Sequence, residues 1–191
     1  MSAKDKIIVL PNSQLRQKSQ KITVLTPEIK RLIANMKAAT LDWEASREHE
    51  VGVALAAIQL GQPYRVIIIR NHFDDKENHD FSVFINPEIV KLEGEIEEDY
   101  EGCLSVRDIY GKVPRHSKVR LRAVDEQGRE VRVKAEGFLA RVLQHEVDHT
   151  KGIMYVDHIE DQRSAFYKLT DEGKLESMAY SDVQKADIFR Q

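Results

Sequence analysis

Apolar residues recur at helical spacing in the first quarter of the chain, at Ile29, Leu32, Ile33, Met36 and Trp43. Thr26-Pro27-Glu28 ahead of them supplies a capping hydroxyl, a first-turn proline and an acid at the positive end of the dipole. The spacing predicts a helix from about Pro27 to the low forties. Polar residues from Glu44 to Glu50 then form a loop leading into VGVALAAIQLG. Val66 to Ile69 is short, apolar and β-branched, as a buried strand would be. Asn71 to Asp80 is polar and predicts an exposed loop. Phe81 to Val90 is a second strand, its far half weakened by Pro87. Lys118 to Val124 and Glu130 to Ala135 alternate apolar with charged residues across the turn Asp125-Glu126-Gln127-Gly128, an antiparallel hairpin. The basic residues around Arg115 to Arg122 fall on the wet face of a strand in this pattern.

After Gly137 the period changes. Phe138, Val142, His145 and His149 lie at i, i+4, i+7 and i+11, one face of a helix, which Gly152 stops. Both histidines therefore share the face that phenylalanine and valine are expected to bury. From Asp161 the pattern predicts a second helix and a loose tail, and the tail from about 177 has no reading of its own. Strands and helices do not alternate as βαβ units. The expectation is α+β: antiparallel strands around a histidine-bearing helix, with an N-terminal and a C-terminal helix, in one domain over residues 1–191.

Composition narrows the function classes. The chain has 191 residues, 41% hydrophobic and 32% charged, with a net charge of −3, so nothing draws it to DNA or an anionic membrane. No apolar run is long enough for a membrane helix, and the start lacks the shape of a signal peptide. Cys103 is the single cysteine, so an intramolecular disulfide is impossible and a reducing cytoplasm is expected.

QHEVDH, Gln144 to His149, carries the chemistry. Histidines at i and i+4 aim two imidazoles at one point, and the glutamate beside the first can lean over a water bound there. The same residues could also be an ordinary polar stretch of helix. Two ligands are too few, since a catalytic site wants three and an open position. Cys103, His49, His72, His79, His116, His158 and many carboxylates are available. His72, His79 and His116 read as solvated surface side chains, and Asp148 as an anchor for the helix.

EGCLS at Glu101–Ser105, followed by QHEVDH, resembles the peptide deformylases, and Gly52-Val53-Ala54-Leu55-Ala56-Ala57-Ile58-Gln59 is similar to that family's glycine-x-glycine-x-Ala-Ala-x-Gln motif. The three motifs stand in family order, and the resemblance covers most of residues 5 to 160. It implies one divalent metal held by Cys103, His145 and His149, usually ferrous iron, with zinc or nickel able to occupy the site. It implies removal of the formyl group from the N-terminal formyl-methionine of nascent polypeptides, with release of formate. Glu146 would move the proton from the attacking water to the leaving amine. The side-chain amide of Gln59 and the backbone N–H of Leu104 would stabilise the oxyanion.

The substrate would lie as an added strand along Gly52 to Leu55 and the stretch after Ser105. Its methionine would enter an apolar pocket near Gly52, Val53, Ala54, Glu101, Gly102, Tyr110 and Val142. Glu101 is expected to pair with Arg115 and prop the cysteine loop. Ala54 stands where the motif has its second glycine, which puts efficiency and substrate preference in question. Formylated nascent peptides, the ribosome near its exit tunnel and a monomeric state complete the expected partners. The compartment is the cytoplasm of a bacterial type, although an organellar form stripped of its presequence would read the same. Two rivals stand beside this reading. One is an HExxH metallopeptidase with Glu160 as third ligand. The other is a catalytically weak module that binds chain N-termini.

Overall fold

The computed structural model describes residues 2–75 and 77–189. Helix α1, Pro27–Glu44, begins as its sequence dictates: the Thr26 hydroxyl accepts from the Ile29 N–H and Pro27 fills the first turn. Strand β1, Ala54–Ala56, runs into a single 3-10 turn at Ala57–Leu60. It pairs antiparallel with β2, Val66–Arg70, which pairs in turn with β3, Phe81–Cys103. A long antiparallel ladder joins β3 to β4, Val106–Val124. One half of β4 pairs with β5, Glu130–Glu136, and the other with β6, Phe166–Leu169. Helix α2, Gly137–His149, follows β5 without a loop. Strand β7, Leu175–Ser177, pairs with β6 and precedes the short helix α3, Tyr180–Lys185.

The run of β-branched residues in β2 has a direct cause. Val66 and Ile68 point to the side packed by Ile29, Ile33 and Met36 of α1, while Ile67 and Ile69 point to the side of Leu143 and Val147 on α2. A strand covered on both faces needs apolar residues at every position. Each such side chain contributes about 1.5–3 kcal/mol by leaving water. The sheet is thus clasped between α1 and α2, and this fixes α2 against the β3–β4 turn.

Several expectations change. β3 continues past Val90 for another thirteen residues, because Pro87 sits at an irregularity between Ile85 and Glu88 where no ladder bond is required of it. The segment from Asp161 first forms β6 and β7, with Gly173 at φ +75° turning the chain between them, and reaches the expected C-terminal helix only at α3, Tyr180–Lys185. The tail is not loose, since Val183 and Ile188 are buried against Phe166 and Tyr155. Arg115 leaves the wet face and is only 6% exposed, and Phe138 is 46% exposed on the face expected to bury it. His72 and His79 are exposed, as their loop suggests, but His116 is half-buried. No helix is long and apolar enough to cross a membrane among the described residues.

Candidate metal centre

Cys103 ends β3, and only Leu104 and Ser105 separate it from β4. The ladder slips between Glu101 and Cys103, an irregularity that re-aims the thiol. Gly102 permits this turn: a Cβ there would meet the Tyr110 ring at 2.6 Å. Opposite stands α2, whose His145 and His149 rings lie 4.8 Å apart, nearly perpendicular. Cys103 Sγ is 3.4 Å from His149 Nε2, and one ligand atom from each of Cys103, His145 and His149 falls within 4.8 Å of the others.

These residues fit a metal. Metal–sulfur and metal–nitrogen bonds of about 2.3 and 2.0 Å in a tetrahedron put the two ligand atoms about 3.5 Å apart, close to the cysteine–histidine separation found here. The supporting shell fits as well. His145 Nδ1 lies 2.9 Å from Glu101 Oε2, which leaves Nε2 for the cluster. Burial opposes charge on the His145 ring, yet Cys103 and Glu101 raise its pKa well above the ordinary value. The groups that raise it, Cys103 and Glu101, bring electron-rich atoms to the ring and to the cluster where a cation would be held. His149, buried and beside the charge of His145, is held well below its ordinary pKa and so stays neutral, as a ligand must.

Glu101 is itself held by two arginines. Arg115 donates to it from Nε at 2.9 Å and from a terminal nitrogen at 3.1 Å, and Arg141 donates at 2.9 Å. Burial alone would raise the Glu101 pKa, but His145 and Arg115 outweigh it and keep the carboxylate ionised. Arg115 also reaches Asp148 at 2.6 Å, and His158 lies 2.8 Å from the same oxygen. Against the cost of burial, His158 and Arg115 bring Asp148 down to about 2. Asp148 thus ties α2 to β4 and does not face the cluster.

Glu146 is buried. Its Oε2 accepts no hydrogen bond from the described residues. Burial lifts its pKa to about 7, with Glu101 adding to the rise and His145 opposing it, a range suited to taking and returning a proton near neutrality. Gln59 is fixed at both ends. Its Oε1 accepts from the Ala56 N–H at 2.8 Å, and its amide nitrogen donates to Ser105 Oγ at 3.1 Å and faces Cys103 Sγ at 3.4 Å.

A cleft of about 370 Å³ opens beside the cluster. Val53, Ala54, Gln59, Glu101, Gly102, Cys103, Leu104, Tyr110, Val142, His145 and Glu146 line it together. His149 stands behind, fully buried. Gly52 is outside the lining: its N–H donates to Glu44 at 2.8 Å, and a Cβ would strike Thr40 at 2.8 Å. The stretch after Ser105 is already occupied, since Val106 pairs with Cys103 and Ile109 to Gly111 pair with β6. Trp43, Phe73, Phe138 and Arg141 line the cleft too. Arg141 lies one turn before His145, a spacing that would have placed it on the ligand-bearing side. Phe73 comes from a polar loop and carries no such signal.

A family model described as polypeptide deformylase matches residues 4–165. A peptide deformylase of Thermomicrobium roseum is 43% identical over 169 residues, covering 87% of this chain and 91% of that one. One from Agrobacterium fabrum is 39% identical over 80% of this chain and 85% of its own. Among solved structures, a peptide deformylase from Synechococcus elongatus in complex with actinonin superposes with a TM-score of 0.72 at 32% identity, covering 82% of this chain and 79% of that one. A Legionella pneumophila peptide deformylase gives 0.70 at 36% identity, over 80% and 83%.

Proposed function

From the premise that this chain belongs to the polypeptide deformylase family, we propose how its own residues remove the formyl group from the N-terminal formyl-methionine of nascent polypeptides. Cys103, His145 and His149 hold one divalent metal, with ferrous iron as the native ion and zinc or nickel able to replace it. When bound there, the metal polarises the formyl oxygen and brings the pKa of a water ligand toward neutrality.

Everything else falls to the chain. Glu146 takes the proton of the attacking water and returns it to the departing amine. Its burial, which lifts its pKa to about 7, supports that double role. As the formyl carbon becomes tetrahedral, charge grows on its oxygen, and the Gln59 amide and the Leu104 N–H meet that charge. The support is the rigidity of Gln59, anchored through Oε1 so that its NH2 end faces the cluster. Glu101 positions His145 and keeps the other ring nitrogen for the metal. Val53, Ala54, Gly102, Tyr110 and Val142 contact the substrate; Gly52 serves it indirectly, by seating β1 on α1. The bacterial relatives support a bacterial-type enzyme working in the cytoplasm; its substrates would be nascent chains, met near the ribosomal exit tunnel.

The observation that carries the reading is the convergence of Cys103, His145 and His149 beside a buried Glu146 oxygen that has no partner among the described residues. Formate release from formyl-Met-Ala-Ser by anaerobically prepared, iron- or nickel-loaded protein tests it. Turnover is expected. A protein with one metal per chain and no formate would overturn it.

A further inference from the structure

β6, β7 and α3 follow residue 165, the last matched by the deformylase family model. The hairpin they begin with is not remote from the cleft. β6 pairs with β4 at Ile109, Tyr110 and Gly111, and the Tyr167 ring meets that of Tyr100 edge-on, 4.8 Å between centroids. Tyr100 and Tyr110 both line the cleft. So do His49, Glu50 and Val51, from the loop that leads to β1, the edge strand paired with β2 alone among the described residues.

That loop has little backbone support. No backbone–backbone hydrogen bond holds residues 48–51 among the described residues, so side chains must. Two ties go to β4. Arg47, its guanidinium 5.3 Å over the Trp43 ring, donates to Asp108 at 2.8 Å, and the Tyr110 hydroxyl donates to Glu50 at 2.6 Å. The third goes to the C-terminal hairpin: His49 Nε2 lies 3.1 Å from the Asp171 carbonyl oxygen. A carbonyl only accepts, so the ring carries a proton on Nε2 and donates it. The turn that receives it is tightly bonded. The Thr170 N–H donates to the Lys174 carbonyl at 2.8 Å, the Gly173 N–H to the Thr170 carbonyl at 2.9 Å, and the Lys174 N–H to the Thr170 hydroxyl at 3.2 Å. Gly173 sits at φ +75°, and a Cβ there would lie 2.8 Å from the His49 ring. A side chain at 173 and the imidazole in its place exclude each other.

We propose that the turn 170–174 positions a wall of the substrate cleft: His49, seated on Gly173, holds residues 48–51 in place before a peptide arrives. The C-terminal hairpin thus takes part in substrate binding without touching substrate. The proposal rests on the deformylase reading. Its test measures formate release from formyl-Met-Ala-Ser by metal-loaded wild type, Gly173→Ala, His49→Ala and the double variant. Amide hydrogen exchange over residues 48–51, without peptide, is measured beside it. A wall that must be ordered on binding costs affinity, so each single variant should raise KM by roughly three- to tenfold and leave kcat near the wild-type value. Exchange in the loop should quicken. The double variant should be no worse than either single, because both break one contact. His49→Ala changes an exposed side chain and carries the comparison should Gly173→Ala not fold. An unchanged KM, unchanged exchange, or single effects that multiply in the double variant would overturn the seat alone. No formate from the wild type, with one metal per chain, would remove the deformylase reading, and the exchange comparison would then decide the seat by itself.

Discussion

Glu146, next to His145 in sequence, and Glu101, bonded to its ring, show what environment does to a carboxyl group. One is buried, with no partner for Oε2 among the described residues, and burial pushes its pKa up to about 7; the other is buried among two arginines and a histidine and stays ionised. Glu146→Gln should leave one metal per chain and reduce formate release by roughly 10²–10⁴-fold, checked by elemental analysis beside kinetics. Glu101→Gln should act on the ligand it orients, weakening metal affinity by about 10–100-fold in a competition with a chelator. Unchanged affinity would mean that His145 needs no such support. The HExxH spacing made the two histidines and the glutamate legible from sequence because neighbours on a helix are fixed by its period. Cys103 needed the family resemblance, since nothing local says whether the one cysteine meets a helix forty residues on or is simply a small buried side chain. Arg115 was misplaced on the wet face because alternation along a strand cannot show that a buried carboxylate waits on the other side.

At the scale of elements, the segments whose pattern is set by burial on one side were legible: α1, α2 and the β4–β5 hairpin. β3 was cut short because Pro87 normally ends a strand, and only the opposing chain shows that an irregularity absorbs it. The C-terminal hairpin was missed because its strands are short and charged. β6 is a strand because β4 offers it an edge, and β7 because β6 then offers another. Gly152 shows how sharply an element boundary can be specified. It stops α2 at φ +74°, and a Cβ would lie 2.2 Å from the Arg16 carbonyl oxygen, which belongs to the N-terminal segment. Gly152→Ala combines a left-handed backbone with a clash, and should lower unfolding stability by roughly 2–5 kcal/mol in a denaturant titration. A loss below 1 kcal/mol would mean that the contact with Arg16 yields easily.

Across the whole molecule, the cluster joins the end of β3 to α2, with Cys103 and His149 forty-six residues apart in sequence. A metal held there binds only the folded arrangement. Stripping it should therefore cost about 4 kcal/mol relative to metal at a thousandfold excess over Kd, seen as a fall in Tm of roughly 8–16 °C. Equal melting curves with and without chelator would show that the centre is formed without help from its ion. A thiolate on ferrous iron also invites oxygen, so iron-loaded protein should lose activity in air while nickel-loaded protein keeps it. Matching lifetimes would count against iron as the native metal.

The open edge of β1 is only three residues long. So short an edge is a poor template for strands of other copies, which limits aggregation at a site that cannot be covered. It also limits grip. A peptide added to it would be held by few main-chain hydrogen bonds, read for shape and position more than for sequence, and released readily once its formyl group is gone. For a catalyst that must visit a great variety of chains once each, brief residence is the useful property.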